Sequence, residues 1–194
     1  LVGYTNAGKT TLFNKLTESN QIAEDKLFAT LDSVTRKNKN PARGPILFSD
    51  TVGFISNLPA QLIESFKATL DELQSADLLL HVVDISDEDY KVKISEVNKI
   101  LEDLKLSDIP QIVVNNKCDL IQVSKLQSLK IRKDSEVFIS AESQKLFTDL
   151  RSKINNQLFS GVYEGWISLE NNLGNIRSTL FDMGCVEEEK VSSC

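Results

Sequence analysis

The sequence predicts an α/β fold, a mostly parallel sheet with helices on both faces. Three observations predict it. Residues Gly3-Tyr4-Thr5-Asn6-Ala7-Gly8-Lys9-Thr10 fit G-x-x-x-x-G-K-[ST] at every fixed position, a loop that joins a buried strand to a helix. Short apolar runs of strand length then alternate with stretches whose apolar residues recur at helical spacing. Finally, the polar motifs that follow fall at the ends of those apolar runs.

The elements can be justified in order. Leu1 and Val2 are what remains of the strand that must precede the loop. Such a strand is central in a doubly wound sheet, so the chain is expected to be cut through its first strand and the natural polypeptide to extend N-terminally. The chain opens on Leu1, and no targeting segment is expected in it. Thr11 to Leu16 continue as a helix whose positive N-terminus faces the loop. Residues 45–49 form a short apolar run ending at Asp50. Residues 60–73 set Leu62, Phe66, Leu70 and Leu73 on one helical face. Leu78 to Val83 read as a fully buried strand ending at Asp84. Val92, Val97, Ile100, Leu101 and Leu104 make a helical stripe over 90–104. Gln111 to Val114 form another buried strand, Val137 to Ile139 a short one, and residues 143–158 a helix. Beyond residue 160 the pattern changes. Trp166 to Leu169 read as a strand and Asn175 to Met183 as a short helix stopped by Gly184. The division expected is one domain over 1–160 and a short segment over 161–194, which either packs on that domain or is the remnant of a second one. Glu187-Glu188-Glu189 read as a solvated tail.

Composition sets outer bounds. The chain has 194 residues, 41% hydrophobic and 26% charged, which suits one ordinary domain and excludes disorder throughout. No apolar run approaches the length of a membrane span. A net charge of −6 disfavours nonspecific binding of the whole chain to bare nucleic acid. Cys118, Cys185 and Cys194 lack metal-type spacing and suit a reducing compartment.

The motifs carry the chemistry. In the loop, Gly3 and Gly8 let the backbone turn so that successive N–H groups from Tyr4 to Thr11 point at phosphate oxygens. Lys9 supplies a point charge to the β- and γ-phosphates, and the Thr10 hydroxyl is placed to ligate Mg²⁺. Asp50-Thr51-Val52-Gly53 matches D-x-x-G after a strand. Its carboxylate holds Mg²⁺ through water and its glycine N–H senses the γ-phosphate. Asn116-Lys117-Cys118-Asp119 matches N-K-x-D. The Asp119 carboxylate accepts two hydrogen bonds from the N1–H and N2 edge of guanine, whereas adenine leaves it unpaired. The Lys117 stem packs over the base. Ser140-Ala141-Glu142 matches the S-A-x loop whose backbone meets the guanine carbonyl. Four motifs in this order predict guanine nucleotide binding.

Taken together, these residues resemble the translation-factor-like GTPases, and more narrowly the HflX family of the Obg–HflX group. The resemblance rests on Gly3 to Asn14, on Leu27-Phe28-Ala29-Thr30-Leu31-Asp32, on Asp50-Thr51-Val52-Gly53-Phe54-Ile55 with Leu58-Pro59, and on Ala68-Thr69-Leu70 before Ala76 to Asp84. It covers about residues 1–160. It implies the fold of a P-loop GTPase G domain. It implies that Phe28 to Asp32 close on the nucleotide, with Thr30 the threonine that reaches Mg²⁺ and the γ-phosphate; by the residues alone, Thr30 and Thr35 are rivals. Lys9, Thr30 and Gly53 then form the catalytic set, and Thr10, Thr30 and Asp50 the Mg²⁺ ligands. The resemblance further implies a cytoplasmic protein that hydrolyses GTP, and Phe54 stands where many GTPases carry a water-orienting glutamine.

 The expected intrinsic rate is slow and is raised when a partner orders the switch residues. The alternative from a different class is a nucleotide-dependent binding module with negligible hydrolysis of its own.

The expected partners are the guanine nucleotide and the large (50S-type) ribosomal subunit, in rescue, splitting or assembly, with a monomer as the expected state. Much of the ribosome contact is implied to lie in an N-terminal domain outside this chain. In related GTPases the asparagine at the position of Asn6 helps hold K⁺, and a loop asparagine bonding its own backbone is the competing reading. Arg36, Lys37 and the turn-rich stretch 38–45 read as a solvated loop between strands or as an RNA phosphate contact. Phe54, Ile55 and Leu58 read as a partner surface or as packing under the next helix. His81, inside a core strand, reads as structural, and Cys118 as a spectator.

Overall fold

The computed structural model describes residues 1–19, 34–38, 45–51, 73–132, 136–143, 147–161, 165–170, 172–183, 186 and 188–190. The expected helix over 60–73 except Leu73, the blocks Phe28–Asp32 and Val52–Leu58, and Gly184 lie outside them.

Four parallel strands form the main sheet in the order β1 (Val2–Gly3), β4 (Leu79–Asp84), β5 (Gln111–Asn116), β6 (Val137–Phe138). Two further strands, β2 (Val34–Asn38) and β3 (Ile46–Asp50), pair antiparallel with each other. They reach the open flank of β1 through Thr51, whose hydroxyl donates to the Leu1 carbonyl at 2.6 Å. Arg36 and Lys37, exposed on β2, are therefore strand residues at the edge of a hairpin.

Side-chain alternation along β4 divides the core into layers. Leu80 and Val82 face α1 (Lys9–Thr17) together with Phe147, Leu150 and Ile154 of the later helix Phe147–Leu158. Leu79 faces Val97 and Leu101 of α2 (Tyr90–Asp103), while Val83 packs with Tyr90 and Phe138. Helices thus cover both faces, as the alternating pattern predicts. Leu12, Phe13 and Leu16 of α1 are fully buried. At about 1.5–3 kcal/mol for each such side chain removed from water, they fix the helix that follows the phosphate loop.

Three elements differ from expectation. On α2 the buried residues are Tyr90, Val97 and Leu101, and Val92 is exposed. Val92 lies about 200° around the helix from Tyr90 at 100° per residue, on the solvent side. A helix not expected from the pattern, α3 (Val123–Arg132), packs only Leu126 and Leu129 against the core. Residues 165–170 form no strand; Trp166 and Ile167 are exposed and pair with no sheet edge. The Phe147–Leu158 helix is α4, and α5 (Gly174–Asp182) buries none of its residues. Its Arg177 instead forms a two-pronged ion pair with Glu189 at 2.6 and 2.8 Å.

Candidate functional site

All the described motif residues meet at the C-terminal ends of the parallel strands, where α/β sheets bind ligands. The phosphate loop leaves β1 at Gly3, whose φ of +148° suits only glycine. A Cβ there would lie 2.3 Å from the Val82 carbonyl oxygen on β4. Asn6 takes the left-handed conformation at φ +60°, which asparagine tolerates, and its side chain is exposed. Gly8, at φ +91°, caps α1, and a Cβ on it would lie 2.2 Å from the Asn116 side-chain nitrogen. Gly3 and Gly8 therefore each answer a specific close approach.

Lys9 is buried and donates from Nζ to the Tyr4 carbonyl at 2.9 Å, curling back over its own loop. Burial pulls its pKa down to about 8, against the attraction of Asp50. Asp50, at the end of β3, accepts from the Thr10 hydroxyl at 2.7 Å through Oδ2. Its Oδ1 is buried without a hydrogen-bond partner among the described residues. Burial raises the Asp50 pKa, opposed by the Thr10 hydrogen bond and the Lys9 charge. A hydroxyl beside a buried carboxylate with one oxygen left over is a hard-donor set, and it fits Mg²⁺. Thr51 turns its hydroxyl to β1, while Thr35 pairs its hydroxyl with Ser49 Oγ at 2.6 Å.

The guanine-selecting motif is locked to the phosphate loop by one side chain. Asn116 is buried, donates from Nδ2 to the Ala7 carbonyl at 2.9 Å, and accepts at Oδ1 from the Ala141 N–H at 2.9 Å. It joins the phosphate loop to the Ser140-Ala141-Glu142 loop across 109 residues of sequence on one side and 25 on the other. Lys117 follows in the left-handed conformation at φ +59°. Its Nζ lies 2.7 Å from Asp84 Oδ2 at the end of β4. Asp119 stands exposed in the turn Cys118–Leu120, and Glu142 is exposed beside buried Ser140 and Ala141. Cys118 is buried, which pushes its thiol pKa up. Phe28, Ala29, Thr30, Leu31, Asp32, Val52 and Gly53 lie outside the described residues.

His81 is buried in β4, and Gln111 of β5 donates to its Nδ1 at 2.7 Å. Burial, with the Lys9 charge nearby, lowers its pKa to about 4, so it is neutral at ordinary pH. This is the structural role its place in a core strand predicts. The side chain that sequence reasoning missed is Asp84. Its one available signal was its place at a strand end, like Asp50.

A phosphate loop and a base-selecting turn fastened together in this way on a parallel sheet make a P-loop GTPase G domain. A family described as 50S ribosome-binding GTPase matches residues 1–117. GTPase HflX of Escherichia coli is 38% identical over 191 residues, covering 97% of this chain and 45% of that protein. GTPase HflX of Magnetococcus marinus is 45% identical over 158 residues, covering 79% of this chain and 37% of that protein. The chain belongs to the 50S ribosome-binding GTPases and, among them, to the HflX family. It spans less than half the length of these relatives. Among solved structures, a GTP-binding protein from Sulfolobus solfataricus in complex with GDP superposes with a TM-score of 0.62 at 29% identity, covering 82% of this chain and 51% of that one. Era in complex with MgGDPNP and a stretch of 16S ribosomal RNA shares the fold, with a TM-score of 0.65 at 24% identity over 88% of this chain and 58% of that one.

Proposed function

We propose that this G domain binds GTP with Mg²⁺, hydrolyses it to GDP and phosphate, and couples that cycle to the large ribosomal subunit within a longer cytoplasmic protein that works in rescue, splitting or biogenesis. The observation that carries the nucleotide part is the Asn116 bridge between the Ala7 carbonyl and the Ala141 N–H. It holds the phosphate loop and the base loop at a fixed spacing, as a site for one nucleotide requires. Gly3 to Thr11 would cradle the phosphates, with Lys9 released from the Tyr4 carbonyl to meet them. Thr10 and Asp50 would hold Mg²⁺, which supplies charge neutralisation at the phosphates. Thr30 and Gly53 would complete the catalytic set, and Asn6 is the residue for a K⁺ effect. The ribosomal part is supported by the family description and by the HflX relatives. Exposed Arg36 and Lys37 on the β2 edge offer an RNA phosphate contact. The domain is proposed to act as a monomer.

Phe54 favours a second reading, a binding module with negligible hydrolysis, because its side chain cannot orient water. Single-turnover GTP hydrolysis with and without large subunits separates the two. Stimulation by subunits supports the GTPase cycle, and no turnover in either case supports the module. Co-sedimentation with large subunits under GDP and a non-hydrolysable GTP analogue tests the partner.

A further inference from the structure

We infer that Asp84 is a positioning residue for the guanine site, holding Lys117 ready to receive the base. The register of the sheet brings the two together. Asp84, the last residue of β4, is the cross-strand partner of Asn116, and the Ile85 N–H donates to the Asn116 carbonyl at 3.2 Å. The chain then turns at Lys117 in the left-handed conformation, which a residue with a Cβ adopts only where its surroundings hold it. Two backbone bonds hold the turn, Cys118 N–H to Ile139 carbonyl at 3.1 Å and Leu120 N–H to Lys117 carbonyl at 3.0 Å. The Lys117 side chain is held by Asp84 Oδ2 at 2.7 Å.

The carboxylate is itself anchored. Asp84 Oδ1 accepts from the Ser86 N–H at 3.0 Å and from the Ser86 hydroxyl at 2.5 Å. The nearby carboxylate of Asp87 is engaged by Lys93, whose ammonium also lies over the Tyr4 ring, 5.0 Å from its centroid. Among the described residues Asp84 is the carboxylate that contacts Lys117 Nζ, while Asp87 feels the Lys117 charge as the smallest of its influences. A lysine stem left free loses rotamer freedom when a base orders it. An ion pair formed beforehand removes much of that loss from the binding step. Asp84 thus acts through Lys117 and needs no contact with the nucleotide.

The inference rests on the reading that Lys117 lies against the base, and a double-mutant cycle separates the two. Affinity for a fluorescent GDP would be measured for this chain, for Asp84→Ala, Asp84→Asn and Lys117→Ala, and for the Asp84→Ala/Lys117→Ala pair, with melting of each nucleotide-free variant recorded. Asp84→Ala is expected to weaken binding about five- to tenfold, mostly through faster release, given a partly exposed pair. Asp84→Asn, which keeps an acceptor oxygen, is expected to lose less. In the Lys117→Ala background Asp84→Ala is expected to have no further effect. Additive losses, or an Asp84→Ala affinity within twofold of wild type, would overturn the proposal. Lys117→Ala binding as tightly as wild type would overturn the reading of Lys117, and the proposal with it. If Asp84→Ala fails to fold, the same comparisons are made with Asp84→Asn.

Discussion

Replacing Asn116 by alanine should loosen the domain before any nucleotide is added. The side chain is buried and makes two hydrogen bonds, one to the Ala7 carbonyl and one from the Ala141 N–H, each at 2.9 Å. Both partners sit in buried residues. Each backbone group left unpaired away from water costs about 1–3 kcal/mol, so the pair costs about 2–6 kcal/mol. Against a typical total of about 5–15 kcal/mol this is a large share. At roughly 2–4 °C per kcal/mol for a domain of this size, the melting temperature should fall by about 4–24 °C. Asn116→Asp should be at least as harmful, because its carboxylate would face the Ala7 carbonyl where a donor now stands. Urea unfolding of the nucleotide-free chain measures the effect. A loss below about 0.5 kcal/mol for Asn116→Ala, the range of ordinary surface substitutions, would refute the latch.

Other expectations follow from the same geometry. Gly3→Ala would put a methyl 2.3 Å from the Val82 carbonyl, so it should cost more than about 2 kcal/mol in urea unfolding. His81 has a pKa of about 4 when folded against 6.5 for the free side chain, so the unfolded chain takes up a proton first on acidification. Its contribution is constant above pH 6.5 and is lost as pH falls toward 4, in total about 3 kcal/mol; His81→Gln, compared with wild type by unfolding across that range, should remove this part of the slope. Lys9, at about 8 in the nucleotide-free domain, must be protonated to meet phosphate. GDP affinity should therefore fall as pH rises above about 8, by at most tenfold per pH unit, with proton uptake on binding visible by calorimetry in buffers of different ionisation heat.

The strand ends were legible because their residues are chosen for chemistry as well as for packing. Asp50, Asn116 and Ser140 follow apolar runs, and the folded chain brings them together around the phosphate loop and its helix. What stayed hidden depends on register between distant segments. Gln111 meets His81 only because β4 and β5 align Leu79 with Gln111 and set both side chains within reach. Asp84 meets Lys117 for the same reason, through a turn whose left-handed residue no periodicity marks. Val92 joins the helical stripe only while apolar character is counted without its angle around the helix, and that angle puts it in solvent. Trp166 and Ile167 have strand-forming side chains but pair with no sheet edge, so propensity had nothing to act on.

The proposed guanine site needs both Asp119 and the Asn116 latch. Calorimetric titration of this chain with GDP and with ADP, in the same Mg²⁺ buffer, tests that most directly. GDP is expected to bind more tightly than ADP by at least about a thousandfold, since adenine would leave the Asp119 carboxylate unpaired. Equal affinities for the two nucleotides would contradict it.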